Sequence, residues 1–365
     1  MENKIKTKVI DTIDLTKDDE QMKERLAPAA DCLSKGGLVA FPTETVYGLG
    51  ADALNETAAK RIYAAKGRPS DNPLIVHIAK VEDVEKIAYT NEIFKILAQS
   101  FWPGPLTMVL PKKDVVPYGT TGGLDTVAIR MPSHPAALAL IEQSGVFVAA
   151  PSANISGRPS PTKASHVTED MTGRIEYIID GGPVGIGIES TIVDLTTDIP
   201  TILRPGFITK KMLEDIVGRV EIDRALEHPM DGFRPKAPGM KYTHYAPKGE
   251  LTLVEKSGEI SDKVDEAVIE KIKGLADEKR KSGFCVGIMA SEETKNQYQG
   301  CADVVVTVGK RHERGTVAAG LYAALREFDE AGADYIYAES FRGDGLSYAI
   351  MNRLLKAAGQ RVISL

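Results

Sequence analysis

A segment with four prolines and three glycines, Glu227 to Gly249, divides this chain into two stretches that follow different rules. Proline removes a backbone donor and glycine loosens the chain, so neither a helix nor a strand is expected to run through it. Before it, strand-like runs outnumber helical ones and do not alternate with them, which predicts a mixed α/β sheet. After it, strands and helices alternate one for one, which predicts a smaller Rossmann-like αβα domain. At 365 residues two domains are expected on size alone. The boundaries read as 17–223 for the first domain, 224–248 for the linker and 249–365 for the second. Met240, Tyr242, His244 and Tyr245 make this linker too aromatic for a simple tether, so it is expected to pack onto something.

Two stretches of the first domain carry polar groups beside residues that stiffen or turn the backbone: Lys66-Gly67-Arg68-Pro69-Ser70-Asp71-Asn72-Pro73 and Pro151-Ser152-Ala153-Asn154. An ammonium and a forked guanidinium two residues apart suit an array of phosphate oxygens. The helical run from Glu56 to Ala65 should stop at Gly67, and Pro69 and Pro73 lower the cost of ordering the loop around a ligand. Both cations are expected on an exposed loop. The net charge of -6 and pI near 5.7 argue against a surface devoted to nucleic acid while leaving room for a basic cleft. Three cysteines, Cys32, Cys285 and Cys301, lack metal-ligand spacing and read as reduced. The chain has no apolar run of membrane-spanning length and its first residues do not read as a signal peptide, so a cytoplasmic location without membrane attachment is expected.

Alternation along strands decides which side chains meet. In Leu74-Ile75-Val76-His77-Ile78, His77 faces away from Leu74, Val76 and Ile78. Thr126 and Arg130 share a face with only Ala128 between them. A buried arginine there either pairs with a protein carboxylate or holds an anionic ligand. Arg204 ends another strand before Pro205-Gly206, and the glycine-dense run 181–187 leads into Ser190-Thr191-Ile192. Lys66, Arg68, Arg130 and Arg204 together suggest one anion site. No nucleophile elbow, histidine cluster or nucleophilic cysteine is evident, so the chemistry should rest on positioning and electrostatics, with no metal held by the protein.

In order along the chain stand Phe41-Pro42-Thr43-Glu44-Thr45-Val46-Tyr47-Gly48-Leu49, Lys66-x-Arg68, Asn72-Pro73-Leu74, Trp102-Pro103-Gly104-Pro105-Leu106-Thr107, Ser152-x-Asn154 and Ser190-Thr191-Ile192. Together they resemble the YrdC-type L-threonylcarbamoyladenylate synthases. Ala237 to Pro247 and the second domain extend the likeness to the longer, two-domain form. The resemblance implies a twisted mixed sheet around a concave basic cavity. It also implies condensation of L-threonine, bicarbonate and ATP with Mg2+, releasing pyrophosphate. The product would pass to a tRNA threonylcarbamoyl transferase acting on adenosine 37, with at most a weak tRNA contact by this chain.

By matching position, the resemblance places L-threonine against Thr45, His77, Arg130, the Ala150 backbone and Ser190. It places ATP against Arg68, Asn72, Thr126, Ser152, Ser160, Arg204 and Tyr245, the last closing over the nucleotide as part of a linker lid. Lys66, Arg68 and Asn154 take the catalytic role. No residue stands out as base for the threonine amine; His77 and the substrate phosphates are candidates. Two other readings share the first domain: an RNA-binding module, and a carbamoyl-transfer domain of the hydrogenase-maturation type.

Overall fold

The computed structural model describes residues 5–226, 245–256 and 263–365. These form two compact units. One comprises 5–156, 160–185 and 189–226, and the other 157–159, 186–188, 245–256 and 263–365.

Among the described residues the first unit has strands β1 (Lys8–Asp11), β2 (Val39–Phe41), β3 (Gly48–Asp52), β4 (Ile75–His77), β5 (Leu106–Pro111) and β6 (Thr126–Arg130). It continues with β7 (Val148–Ala149), β8 (Tyr177–Asp180), β9 (Thr191–Asp194), β10 (Thr201–Arg204) and β11 (Glu221–Ile222). They lie side by side in the order β1-β8-β2-β3-β7-β4-β6-β5-β9-β10-β11. β4 pairs parallel with β6 and antiparallel with β7, and β5 pairs antiparallel with β6 and parallel with β9, so the sheet is mixed as expected.

Helix Pro135–Ser144 starts with proline at its first turn, where the missing N–H costs nothing, and stops at Gly145 with φ 69°. Its alanines and Leu140 close against Met22, Leu26, Ala29 and Leu33 of helix Glu20–Ser34. Helix Glu56–Lys66 is capped by Asn55, whose side chain accepts from Thr57 and Ala58. It ends at Gly67 with φ 62°, and Arg68 N returns to Tyr63 O at 2.9 Å.

Two strands differ from the sequence expectation. β1 precedes residue 17 yet pairs in parallel with β8, so the first unit begins earlier than the sequence boundary. β3, Gly-Leu-Gly-Ala-Asp, has too little β-propensity to announce itself. Its glycines let neighbours close in: a Cβ on Gly50 would stand 2.8 Å from Val148 Cγ1 and 2.9 Å from the Phe41 ring.

The second unit has strands β12 (Glu250–Glu255), β13 (Val286–Ala290), β14 (Val304–Thr307), β15 (Tyr335–Glu339) and β16 (Val362–Ser364). Their order is β14-β13-β15-β12-β16, and all pairings are parallel. Helices Glu266–Lys281, Arg314–Ala331 and Leu346–Ala357 connect them, the Rossmann-like alternation read from the sequence. β16, three residues long, is too short to announce itself in the sequence. The first of these helices starts at Glu266 because Asp265 caps it by accepting from Ala267 N at 2.8 Å.

Gly50→Ala should destabilise the first unit by about 1–3 kcal/mol through overpacking. Gly274→Ala, in helix Glu266–Lys281 with nothing within 4 Å of the added methyl, should stabilise the second by about 0.5–1 kcal/mol. Urea unfolding of both variants checks the contrast; equal shifts would contradict the packing at β3.

Candidate functional site

The register of four strands puts a set of polar side chains on one face of the first sheet. Ile75 pairs with Ala128 and His77 with Arg130, while Val109 pairs with Ala128 and Thr107 with Ile192. Strand alternation therefore gives His77, Arg130, Thr107 and Thr126 the same face as Ile75, Ala128, Val109 and Ile192. The apolar members, with Leu203, form a small buried cluster of their own. The opposite face feeds Val76, Met108, Ile129 and Val193 into the main core.

Arg130 is 3% exposed, and its guanidinium is held on three sides. Nη1 donates to Thr45 Oγ1 at 2.9 Å, Nε donates to Gly104 O at 3.3 Å, and Nη2 lies 2.7 Å from Glu44 Oε1. The Thr45 hydroxyl is 2.9 Å from Thr43 Oγ1, which itself donates to Val46 O at 2.6 Å. The Phe41–Leu49 motif thus builds a hydroxyl relay behind the arginine. The protein carboxylate that faces Arg130 is Glu44, which also accepts from Ser133 N at 3.2 Å. Glu44 was not singled out from the sequence. The requirement that a buried arginine have a counter-charge, applied inside the motif, was the signal that could have found it.

Ser190 is fixed from two directions. Thr107 Oγ1 lies 2.7 Å from its hydroxyl, and Arg204 Nη2 donates to the same oxygen at 3.0 Å. Arg204 also donates from Nε to Ser190 O at 3.0 Å. Next along the chain, Glu189 Oε1 accepts from the Ser160 hydroxyl at 2.6 Å, and both residues are buried. Thr107 and Glu189 are further partners that the sequence reading passed over.

Lys66 corrects an expectation. It is 2% exposed, and its ammonium donates to Ser152 O and Asn154 O, each at 2.5 Å. It is a buried clamp between the two signature stretches, not an exposed loop cation. The helix ends one residue later at Gly67, which aims the side chain inward. Ser152 Oγ donates to Asn154 Oδ1 at 2.5 Å, and Asn154 Nδ2 to Ile155 O at 2.8 Å. Arg68 is half-buried, with Nη2 donating to Pro73 O at 3.2 Å. Asn72 is buried, and its Oδ1 has no hydrogen-bond partner among the described residues. Such orphaned acceptors are rare and gather at functional sites. Ala150 N donates to Ile75 O at 2.8 Å, and Thr126 is half-buried at the start of β6.

Tyr245 belongs to the second unit, where its buried ring lies 5.1 Å from that of Tyr322. Met240, Tyr242 and His244, on which the expected lid also depended, lie outside the described residues. Among the described residues no group of three His, Cys, Asp or Glu side chains is placed to hold a metal ion, and no helix is long and apolar enough to cross a membrane.

His77 is buried against the edge of Phe41, and Ile75 O lies 3.1 Å from its Nδ1. Burial, reinforced by the neighbouring Arg130 cation, pushes its pKa down to about 3. The imidazole is neutral at physiological pH and is a weak proton acceptor. In the unfolded chain the ring would protonate near 6.5. Stability is therefore fully present above that pH and falls as pH drops toward about 3. His77→Gln should lose this component, so the stability gap to the parent chain should narrow between those pH values; a constant gap would mean His77 charges in the folded state. Lys66→Met should cost about 2–4 kcal/mol, since it leaves buried carbonyls unsatisfied, whereas Arg68→Ala should stay within about 0.5 kcal/mol. Chemical denaturation distinguishes the two.

With this geometry in hand, two family models match the chain. One described as Telomere recombination covers residues 31–206, and one described as Threonylcarbamoyl-AMP synthase, C-terminal domain covers 208–359. The threonylcarbamoyl-AMP synthase of Bacillus subtilis is 51% identical over 353 residues, which span 96% of this chain and 98% of that one. The synthase of Pyrococcus abyssi is 50% identical over 94% of this chain and 96% of its own. The crystal structure of P. abyssi Sua5 complexed with L-threonine is similar at a TM-score of 0.89 and 47% identity, covering 98% of this chain and 99% of that one. The chain belongs to the threonylcarbamoyl-AMP synthase family.

Proposed function

We propose that this enzyme condenses L-threonine, bicarbonate and ATP into L-threonylcarbamoyl-AMP and releases pyrophosphate. The observation that carries the reading is Arg130. It is a buried guanidinium on a sheet face, flanked by the Thr45 hydroxyl and in register with a neutral His77. An amino-acid carboxylate takes the guanidinium edge now held by Glu44, forming a bidentate pair. Thr45, Ser190, His77 and the Ala150 backbone then surround the rest of threonine. Arg68, Asn72, Thr126, Ser152, Ser160, Arg204 and Tyr245 receive ATP, and Lys66 and Asn154 fix the loop that carries Ser152. The threonine complex of the P. abyssi relative supports the amino-acid half of this assignment.

In the reaction, the threonine amine attacks the bicarbonate carbon. A C–N bond forms and water leaves, giving a carbamate. A carbamate oxygen then bonds to the α-phosphorus while the bond to the β-phosphate bridge breaks, and pyrophosphate departs with that electron pair. The protein's part is to align the two substrates and hold cationic charge near the phosphates. His77, kept neutral by burial, is a hydrogen-bonding partner of threonine and not its base. Mg2+ arrives as the counter-ion of the ATP substrate. The product passes to a tRNA threonylcarbamoyl transferase acting on adenosine 37 of tRNAs that read codons beginning with A, in the cytoplasm, with at most a weak tRNA contact by this chain.

Pyrophosphate release should require threonine and bicarbonate together; release with ATP alone would overturn the reading. Tight tRNA binding without threonine-dependent release would favour an RNA-binding module instead. Arg130→Lys should lower kcat/KM for threonine by about 100-fold or more, because a point charge cannot replace the fork. A pocket that reads the threonine hydroxyl should reject 2-aminobutyrate by about 10,000-fold but serine by only about 10- to 200-fold. Equal use of 2-aminobutyrate would show that the hydroxyl is not read.

A further inference from the structure

A row of side chains crosses the first sheet on the face that carries Arg130. His77 of β4 pairs with Arg130 of β6, and Met108 of β5 pairs with Ile129, which sets Thr107 beside Arg130. Thr107 pairs in turn with Ile192 of β9, and Ile192 with Arg204 of β10. Ser190 joins this row, with its hydroxyl 2.7 Å from that of Thr107. Of these polar side chains, Thr107 alone has no part in the seating of substrates described above.

The hydrogen count at this contact shows what Thr107 does. A guanidinium has only protons to give, so Ser190 Oγ accepts from Arg204 Nη2 at 3.0 Å. The two hydroxyls bring two protons to the contact between them, and that contact uses one. Among the described residues neither hydroxyl reaches another acceptor, and both residues are fully buried. One O–H is therefore left over, and a buried donor without an acceptor is costly. When Thr107 donates to Ser190, the serine oxygen has both lone pairs filled and can only give its own proton. The row places a guanidinium on each side of the pair, Arg130 and Arg204, so the acceptor that suits this proton is an anionic oxygen.

The Thr45 hydroxyl is set the opposite way. Thr43 spends its proton on Val46 O at 2.6 Å, so Thr45 gives its own to Thr43 and accepts from Arg130 Nη1 at 2.9 Å. It keeps a lone pair, which suits an ammonium or a hydroxyl. Ser190, held as a donor, suits a carboxylate.

We propose that Thr107 is a positioning residue for the amino-acid substrate: it holds the Ser190 hydroxyl as a donor to the substrate carboxylate. This rests on the seating of threonine against Arg130 and Ser190 proposed above, and it adds a residue of β5 that acts through Ser190.

Thr107→Val keeps the shape and the β-branch without the hydroxyl, Thr107→Ser keeps the hydroxyl, and Thr107→Cys supplies a weaker donor. Titration calorimetry of the full chain with L-threonine, together with steady-state pyrophosphate release, compares them. The valine variant should bind threonine about ten-fold more weakly and show a KM raised to match. Its kcat should stay within about three-fold and its KM for ATP within about two-fold, because a carboxylate remote from the reacting amine is bound alike in the ground and transition states. The serine variant should stay within about two-fold of the parent, and the cysteine variant should lie between. With bound threonine labelled with carbon-13, the carboxyl resonance should move between the parent and the valine variant while that of the hydroxyl-bearing carbon stays in place. Parent-like affinity in the valine variant, an equal loss in the serine variant, or a shift confined to the hydroxyl-bearing carbon would overturn the proposal. If the valine variant does not fold, the serine and cysteine variants decide it by the same order of affinities. Failure of the parent chain to bind threonine would instead overturn the function on which the proposal rests.

Discussion

The buried ammonium of Lys66 is the contact on which the candidate site of the first unit depends. A charge survives inside a protein only when its donors are spent, and here they are spent on the Ser152 and Asn154 carbonyls. The tie runs both ways, because Ser156 N donates to Lys66 O at 2.9 Å. It requires the helix to end at Lys66, which Gly67 enforces through its positive φ. From this point Arg68 to Pro73 turn back toward β4, and Ser152 and Asn154 lock to each other. Two signatures more than eighty residues apart in sequence thus become one rigid corner.

Across the sheet face, burial has to be reconciled with charge. Arg130 is nearly inaccessible, so its charge is balanced by Glu44 and its remaining donors go to Thr45 and Gly104. The same guanidinium helps hold the adjacent His77 neutral. The result is a face with one strong cation, a fixed counter-ion and aligned hydroxyls.

The second unit has no glycine-rich dinucleotide fingerprint after its first strand. Arg311 and Glu339 come together in it as a buried pair, supported by Ser291, whose hydroxyl donates to Glu339 Oε2 at 3.0 Å.

The amino-acid order by itself determined the division of the chain, the mixed sheet before the linker and the regular alternation after it. Those features follow from local periodicity and from the backbone limits of proline and glycine. It also showed that His77 faces away from the core of its strand and that Thr126, Ala128 and Arg130 share a side, because alternation is a local rule. Tertiary structure decided what those side chains meet. Lys66 reads as an exposed loop cation until the helix end and the Ser152–Asn154 loop are brought together. Glu44 reads as one more residue of a motif until β6 is laid beside β4 and Arg130 needs a counter-charge. β3 was hidden because its glycines are there to let Phe41 and Val148 close in, a demand made by neighbours and not by its own propensity. The contact of Thr107 with Ser190 was equally invisible, since β5 and β9 become neighbours only once the strands have an order in space.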